Sequence, residues 1–261
     1  MTFDKIILAA HRGDRKKHPE NTMPAFKAAI DFGVDMIETD VRMTKDGILI
    51  LMHDRDTLRT TGFSGFTNEM TLDEIKMLDA GSQFSKDYPT TPVPTVEEFI
   101  ALIRDTDMLV NWELKDYPQE VGEEFALRAV DRLIELIRSN GLEERSMVNS
   151  FNNRLLEYIY LKHGHQFPIH GQGIGACAKH TGVATPDEIL FDWCCLYPEE
   201  KGKSPLDYPH NFAYCLSHNI LPCVCLADTP EVYRKALELG CRMFTSNDIY
   251  TAKELLTELI S

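Results

Sequence analysis

The chain has 261 residues, 43% of them apolar and 26% charged, with a formal net charge of −14 at pH 7. Such a length holds one large domain or two small ones, and the composition has none of the bias of a disordered chain. The negative balance argues against nucleic acid or an anionic membrane surface as a main partner, because both need a basic face, and it suits a protein that collects a divalent cation.

Short apolar runs and amphipathic stretches alternate along the chain. A strand is predicted over 6–10, closing on His11-Arg12-Gly13, and a helix over 23–32. A second strand covers 35–41 and carries Glu38-Thr39-Asp40 near its end. Residues 42–52 then read as a hairpin, because Asp46-Gly47 is a strong tight-turn signal between two strand-like runs. The hairpin extends the second strand and returns His53 opposite positions 38–40. The segment 54–94 shows little periodicity apart from a helix over 71–78, capped by Thr71 with Glu74 three residues on. It is too long for a plain connection, and residues 54–95 are expected to form an inserted segment over one barrel mouth.

Beyond the insertion the alternation resumes. Thr95 and Glu98 cap a helix over 96–106, a third strand covers 108–113, and Asn140-Gly141 stops a helix over 120–140. Strands over 146–150, 168–171, 189–193, 221–226 and 242–245 follow, with helices over 153–163, 208–219, 230–240 and 251–260. The helix after the fifth strand, somewhere in 173–181, is the least marked. Apolar strands separated by helices are the pattern of parallel strands buried on both faces. Eight such repeats point to an α/β fold of the closed (β/α)8 TIM-barrel type, with residues 1–261 as a single domain.

No apolar run approaches the ~18 residues of a membrane span. Met1-Thr2-Phe3-Asp4-Lys5 lacks the pattern of a signal peptide, so the expected location is the cytoplasm, without stable membrane association. The seven cysteines, at 177, 194, 195, 215, 223, 225 and 241, form no CxxC pair and therefore no zinc ribbon or redox motif. Cys194-Cys195 sits in an apolar run and reads as buried thiol. Gly171-Gln172-Gly173-Ile174-Gly175 lacks the full spacing of a dinucleotide loop and is discounted.

In a β/α barrel the chemistry sits at the C-terminal strand ends. Glu38 and Asp40 are two residues apart, so both side chains project to one face of the strand. Two unpaired carboxylates in a core are expensive, and a hard divalent cation relieves them, with Glu113 on the next strand as a third oxygen ligand. A carboxylate shell favours Mg²⁺ or Ca²⁺ over zinc. The alternative for the same residues is a set of ion pairs with Arg12, Arg42 or Lys115. His11 and His53 face this cluster as an acid–base pair, since imidazole titrates near neutrality. Arg12 and Lys115 suit phosphate oxygens or simply balance the carboxylates. Of the remaining histidines only His170, at the end of the fifth strand, stays a secondary candidate.

With these motifs in order, the chain resembles the glycerophosphodiester phosphodiesterase family. The matching stretches are His11-Arg12-Gly13, Pro19-Glu20-Asn21-Thr22, Ile37-Glu38-Thr39-Asp40-Val41, Lys45-Asp46-Gly47 and His53-Asp54. They continue with Thr57-Leu58-Arg59-Thr60-Thr61-Gly62, Leu78-Asp79-Ala80-Gly81-Ser82, Val93-Pro94-Thr95, Asn111-Trp112-Glu113-Leu114-Lys115 and Ser150-Phe151. The resemblance implies a barrel with a small inserted region and hydrolysis of a small-molecule glycerophosphodiester to an alcohol and sn-glycerol 3-phosphate, with one divalent cation. It implies Glu38, Asp40 and Glu113 as metal ligands and His11 and His53 as general base and acid. Arg12 and Lys115 would contact phosphate, with Glu20 and Asn21 supporting the loop after the first strand. Two positions depart from the family pattern. Where many relatives carry a Trp-Thr motif this chain reads Val224-Cys225-Leu226, and the usual Thr-Asp is Thr245-Ser246. Both departures are expected at the barrel mouth, near the alcohol or glycerol end of the substrate. A lyase that forms a cyclic phosphate by internal attack of a substrate hydroxyl, as on lysophospholipid-type substrates, would use the same motifs. A non-catalytic ligand-binding barrel would be expected to have lost part of the set, and every member is present.

Overall fold

A computed structural model of the chain describes residues 5–173, 191–225 and 229–260. Among them one sheet contains β1 (Ile7–His11), β2 (Met36–Met43), β3 (Leu49–Leu51), β4 (Leu109–Leu114) and β5 (Ser146–Asn149). It continues with β6 (Ile169–Gln172), β7 (Trp193–Cys195), β8 (Leu221–Cys225) and β9 (Met243–Ser246). All but β3 pair in parallel, and β1 bonds both β2 and β9, so eight strands close into a barrel. Helices lie between the strands, as the alternation requires. No helix among the described residues is long and apolar enough to cross a membrane.

The strands are apolar on both faces for different reasons. Ile7, Ala9, Met36, Met147, Trp193, Cys195, Cys223 and Met243 pack together as the filling of the barrel. Their alternate neighbours, among them Leu8, Ile37, Val148 and Phe244, pack outward against helix residues such as Phe26, Leu133 and Leu155. Helix Glu123–Ser139 shows the matching pattern, burying Ala126, Ala129, Val130, Leu133, Ile134 and Ile137 along one stripe. Each fully buried Leu or Ile of that stripe contributes about 1.5–3 kcal/mol of transfer free energy.

The predicted hairpin forms, with Val41 opposite Leu51 and Met43 opposite Leu49. Thr44 accepts at its carbonyl from Gly47 N (2.9 Å), and Gly47 takes the positive φ (86°) that the turn needs. Met52 N then bonds Asp40 O (3.0 Å), which delivers His53 to the end of β2. Residues 54–94 hold the short helices Leu58–Thr61 and Leu72–Lys76, the second with the expected Thr71/Glu74 capping box. Ile75, Ala80 and Val93 of this segment pack with Ile50 and Met52 of the hairpin arm.

Three expectations need adjustment. The single helix expected over 120–140 is two, Pro118–Val121 and Glu123–Ser139, because Gly122 adopts φ 85° and ψ 149° between them. Helix 96–106 ends at Ile103, where the N–H and the hydroxyl of Thr106 both turn back onto Ile103 O. The sixth barrel strand, β7, runs Trp193–Cys195 rather than 189–193, which places both vicinal cysteines in the sheet. The helix expected within 173–181, the Ile174-Gly175 end of the glycine-rich stretch, residues 189–190 and Leu226 lie outside the described residues.

Candidate active site

The inward face changes character along the barrel axis. Toward the N-terminal strand ends it is Ile7, Met36, Leu109, Met147 and Met243; toward the C-terminal ends it is His11, Glu38, Asn111, Glu113, Asn149 and Thr245. The polar end encloses a cavity of about 160 Å³ that is also lined by Arg12, His53, Lys115, His170, Phe151 and Tyr197. Six of the seven residues expected in the site border this one space, and the seventh, Asp40, lies fully buried beneath it.

The loop after β1 is held tightly. Arg12 (φ 59°), Gly13 (φ 79°) and Asn21 (φ 53°) take left-handed backbone, and a Cβ on Gly13 would stand 2.8 Å from Ala25 C. Asn21 Nδ2 donates to Asp40 Oδ2 (2.7 Å), while its Oδ1 accepts from Thr39 Oγ1 (2.8 Å). Arg12 Nε lies 3.1 Å from Asp40 Oδ2, and its Nη1 donates to Glu20 Oε1 (2.8 Å). Lys115 Nζ stands 3.2 Å from Asp40 Oδ1 and in closer contact with Glu113 Oε1. Of the counter-ions that the sequence left open, Arg12 and Lys115 sit on the carboxylates. Arg42 instead turns away to His53 O (2.9 Å), Lys115 O (2.9 Å) and Asp116 (3.1 Å).

The ion pairs do not satisfy the cluster. Glu38 Oε2 accepts from Arg12 N (3.1 Å), but Glu38 Oε1 is buried with no hydrogen-bond partner. Glu38, Asp40 and Glu113 each offer an oxygen within 4.8 Å of the others. An orphaned carboxylate oxygen on one of three clustered, buried acids fits a hard divalent cation, for which all-oxygen shells are the normal environment. Without a cation, burial and then the neighbouring Asp40 and Glu113 charges push the Glu38 pKa well up. Burial likewise raises that of Glu113. Asp40 is opposite: burial raises its pKa, but Lys115 and Arg12 outweigh it and hold the carboxyl at about 2.

Both imidazoles are oriented from behind. Asn247 Oδ1 accepts from His11 Nδ1 at 2.6 Å, which turns Nε2 toward Glu38 Oε2, 3.8 Å away. Asp54 Oδ1 stands 2.5 Å from His53 Nδ1, and Arg59 in turn grips Asp54. Burial, then Arg12, lowers the His11 pKa to about 4, so the ring is neutral at pH 7. His53 is lowered as well, chiefly by burial.

Several participants were not singled out from the sequence. Asn247 follows β9 directly. On the wall that adjoins Glu113, whose register partner is Asn149, Gln172 bridges Asn149 Oδ1 (2.7 Å) and the Tyr197 hydroxyl (3.0 Å). Asn149, Gln172 and Asn247 share the strand-end position that marked the other candidates, and that position was their only signal. Phe151 and Tyr197 are large and half-exposed at the rim, with ring centroids 5.9 Å apart. Cys225 and Thr245 border the cavity, but Ser246 does not: it is buried, and its Oγ accepts from Asp248 N (2.9 Å). The departure at 246 therefore bears on the turn after β9 rather than on the mouth.

Residues 11–176 match the model of the glycerophosphoryl diester phosphodiesterase family. The chain belongs to that family. Among curated family members, a glycerophosphodiester phosphodiesterase of Caldanaerobacter subterraneus subsp. tengcongensis is 44% identical over 159 residues, covering 59% of this chain and 62% of its own length. One from Bacillus altitudinis is 36% identical over 158 residues, covering 59% of this chain and 61% of its own. The matches thus span about three-fifths of these relatives. Solved structures share the fold over almost the whole chain. A phosphodiesterase of Oleispira antarctica, determined with the product sn-glycerol-3-phosphate, superposes with a TM-score of 0.81 at 21% identity, covering 97% of each chain. The family segment carries His11, Arg12, Glu38, Asp40, His53, Glu113 and Lys115; it ends before β7, β8 and β9.

Proposed function

We propose that this chain hydrolyses glycerophosphodiesters to an alcohol and sn-glycerol 3-phosphate with the help of one divalent cation, Mg²⁺ or Ca²⁺, at Glu38, Asp40 and Glu113. The observation that carries the reading is the unpartnered Glu38 Oε1 among three buried carboxylates, with two oriented imidazoles on the same cavity. The curated relatives named glycerophosphodiester phosphodiesterases, and the product bound to the Oleispira protein, support the substrate class.

When bound, the cation supplies Lewis-acid stabilisation of charge on the phosphoryl oxygens. This chain's own side chains do the rest. Lys115 and Arg12, already fixed by Asp40, present positive charge to the phosphate without reorganising. His11, neutral and with Nδ1 engaged by Asn247, accepts a proton from the attacking water at Nε2. His53 gives its Nε2 proton to the leaving alkoxide from the imidazolium form, which the Asp54 carboxylate at Nδ1 supports, and regains a proton from solvent. Phe151 and Tyr197 border the cavity, where they shield the reacting phosphate from bulk water. The free thiols suit a reducing compartment, and we take the cytoplasm as the setting and the 54–95 segment as a cover over the mouth.

The test is product analysis with a panel of glycerophosphodiesters in ¹⁸O-water, after chelation and after return of Mg²⁺ or Ca²⁺. Labelled glycerol 3-phosphate that appears only with the cation is the expected result. A cyclic phosphate as first product would replace hydrolysis by internal transfer, and no phosphate product under any condition would overturn the assignment.

A further inference from the structure

A second group of metal-ligating side chains lies on the barrel wall formed by β6, β7 and β8. His170, Cys195 and Cys223 are each no more than 1% exposed and offer donor atoms within 4.8 Å of one another. The register explains the convergence. Cys195 of β7 stands directly beside Cys223 of β8, and Cys225, two residues further along, points to the same face. Cys223 Sγ is 3.2 Å from His170 Nε2, and Cys225 Sγ is 3.0 Å from Cys195 Sγ.

We infer that this wall is a second cation site, built for a thiophilic ion such as Zn²⁺, with His170, Cys195 and Cys223 as ligands and Cys225 as an adjoining fourth donor. The chemistry of the donors separates it from the carboxylates: sulfur and imidazole select zinc, whereas oxygen selects Mg²⁺ or Ca²⁺. The dimensions agree. Bond lengths of about 2.0–2.3 Å in a tetrahedral site place neighbouring donors roughly 3.5–3.8 Å apart, so these pairs need open by less than ~1 Å. Ordinary packing of free cysteine accounts for buried thiols but not for an imidazole aimed among them.

The residue behind His170 fits the same role. Asn111 stands 3.1 Å from His170 Nδ1 through its Nδ2, and its Oδ1 is buried without a partner. With the carboxamide turned over, Oδ1 accepts from Nδ1–H, and the Nε2 lone pair is freed toward the thiols. Metal-bound histidines are normally held by such an outer partner. Each thiol that ligates releases its proton to solvent, and two thiolates balance the dication in this buried place. His170 and Cys225 also border the catalytic cavity, so the site opens onto the space the substrate would occupy.

The test is a titration of the metal-free, reduced full chain with Co²⁺, then Zn²⁺, followed by absorption. A thiolate-to-cobalt charge-transfer band with intense tetrahedral visible bands, reaching one equivalent and erased by Zn²⁺, is expected. Cys195→Ser and Cys223→Ser should each weaken the charge-transfer band and bind at least about tenfold more weakly, and the double variant should lose most of the band. Cys241→Ser, outside the barrel interior, and Glu113→Gln should keep it. Should either serine variant prove unfolded by circular dichroism, His170→Gln takes its place, with the tetrahedral bands altered or lost. Only the weak spectrum of oxygen-bound Co²⁺ in the wild type would overturn the site. So would a thiolate band of undiminished intensity in both serine variants and in the double variant, or binding that depends on Glu113 instead.

Discussion

Replacing Glu20 by Gln tests how the β1 loop is held. Glu20 accepts from Arg12 Nη1 (2.8 Å), Arg59 Nη2 (2.6 Å) and Arg15 Nη2 (2.8 Å). Burial pushes its pKa up, but Arg59, Arg12 and Arg15 together hold it down at about 2, against 4.5 for a free Glu. At 1.36 kcal/mol per pKa unit the difference is worth about 3 kcal/mol. Solvent reaches Arg59, and a Gln keeps part of the hydrogen bonding, so about 2 kcal/mol is the expected loss at pH 7. The folded-state pKa lies below the unfolded one. The contribution is therefore fully present above pH 4.5 and drains away as the pH falls toward 2, with less than half remaining near pH 3. Urea unfolding of wild type and Glu20→Gln at intervals from pH 7 to pH 3 measures this directly. The stability gap between the two proteins should narrow as the pH drops. A gap that stays constant over that range would refute the idea that the three arginines act through the ionised carboxylate.

Changing His11 or His53 to Ala should slow turnover on glycerophosphodiester by about 10²–10⁴ with little effect on unfolding, as steady-state kinetics and thermal melts would show. Near-normal rates in both would remove the acid–base assignment. Glu38→Ala should abolish cation-dependent activity, and after chelation added Mg²⁺ or Ca²⁺ should restore wild type but not the variant. Asn247→Ala should lower kcat by about 10–100-fold while leaving KM near its wild-type value, because it frees the His11 ring without touching substrate. Gly13→Ala should cost about 2–4 kcal/mol in denaturant unfolding, since it forces a side chain into φ 79° and against Ala25. A loss under 1 kcal/mol there would mean that the loop relaxes easily.

Much of the fold was legible because its causes are local. Helices Met23–Phe32 and Asn153–His163 fall where their periodicity puts them, and both capping boxes form as their spacing dictates. The hairpin follows from Asp46-Gly47, and with it the return of His53 to Glu38 and Asp40. The two-residue repeat along a strand likewise put Glu38 and Asp40 on one face, and position at a strand end marked His11 and Glu113. Where local signals conflicted the reading slipped. Gly122 divided a helix that its flanking periodicity joined, and Ser246 turned under a strand end rather than into the mouth.

Partnerships across the closed barrel were decided only by tertiary structure. Asn247 reaches His11 from 236 residues away because β9 pairs with β1 and brings the turn after β9 beside the end of β1, a side-chain meeting that has no local signal. Arg12 could equally have faced solvent; packing joins it to Asp40 and Glu20, and Lys115 to Asp40 and Glu113. The cysteines illustrate the difference most plainly. Taken along the chain, 195, 223 and 225 lack any metal-binding motif, and His170 stands alone. Side-by-side registration of β6, β7 and β8 sets all four donors on one wall, because a parallel sheet makes neighbours of residues that its helical crossovers separate in sequence. Residue types and strand ends were written in the sequence; which of them meet was set by the closing of the barrel.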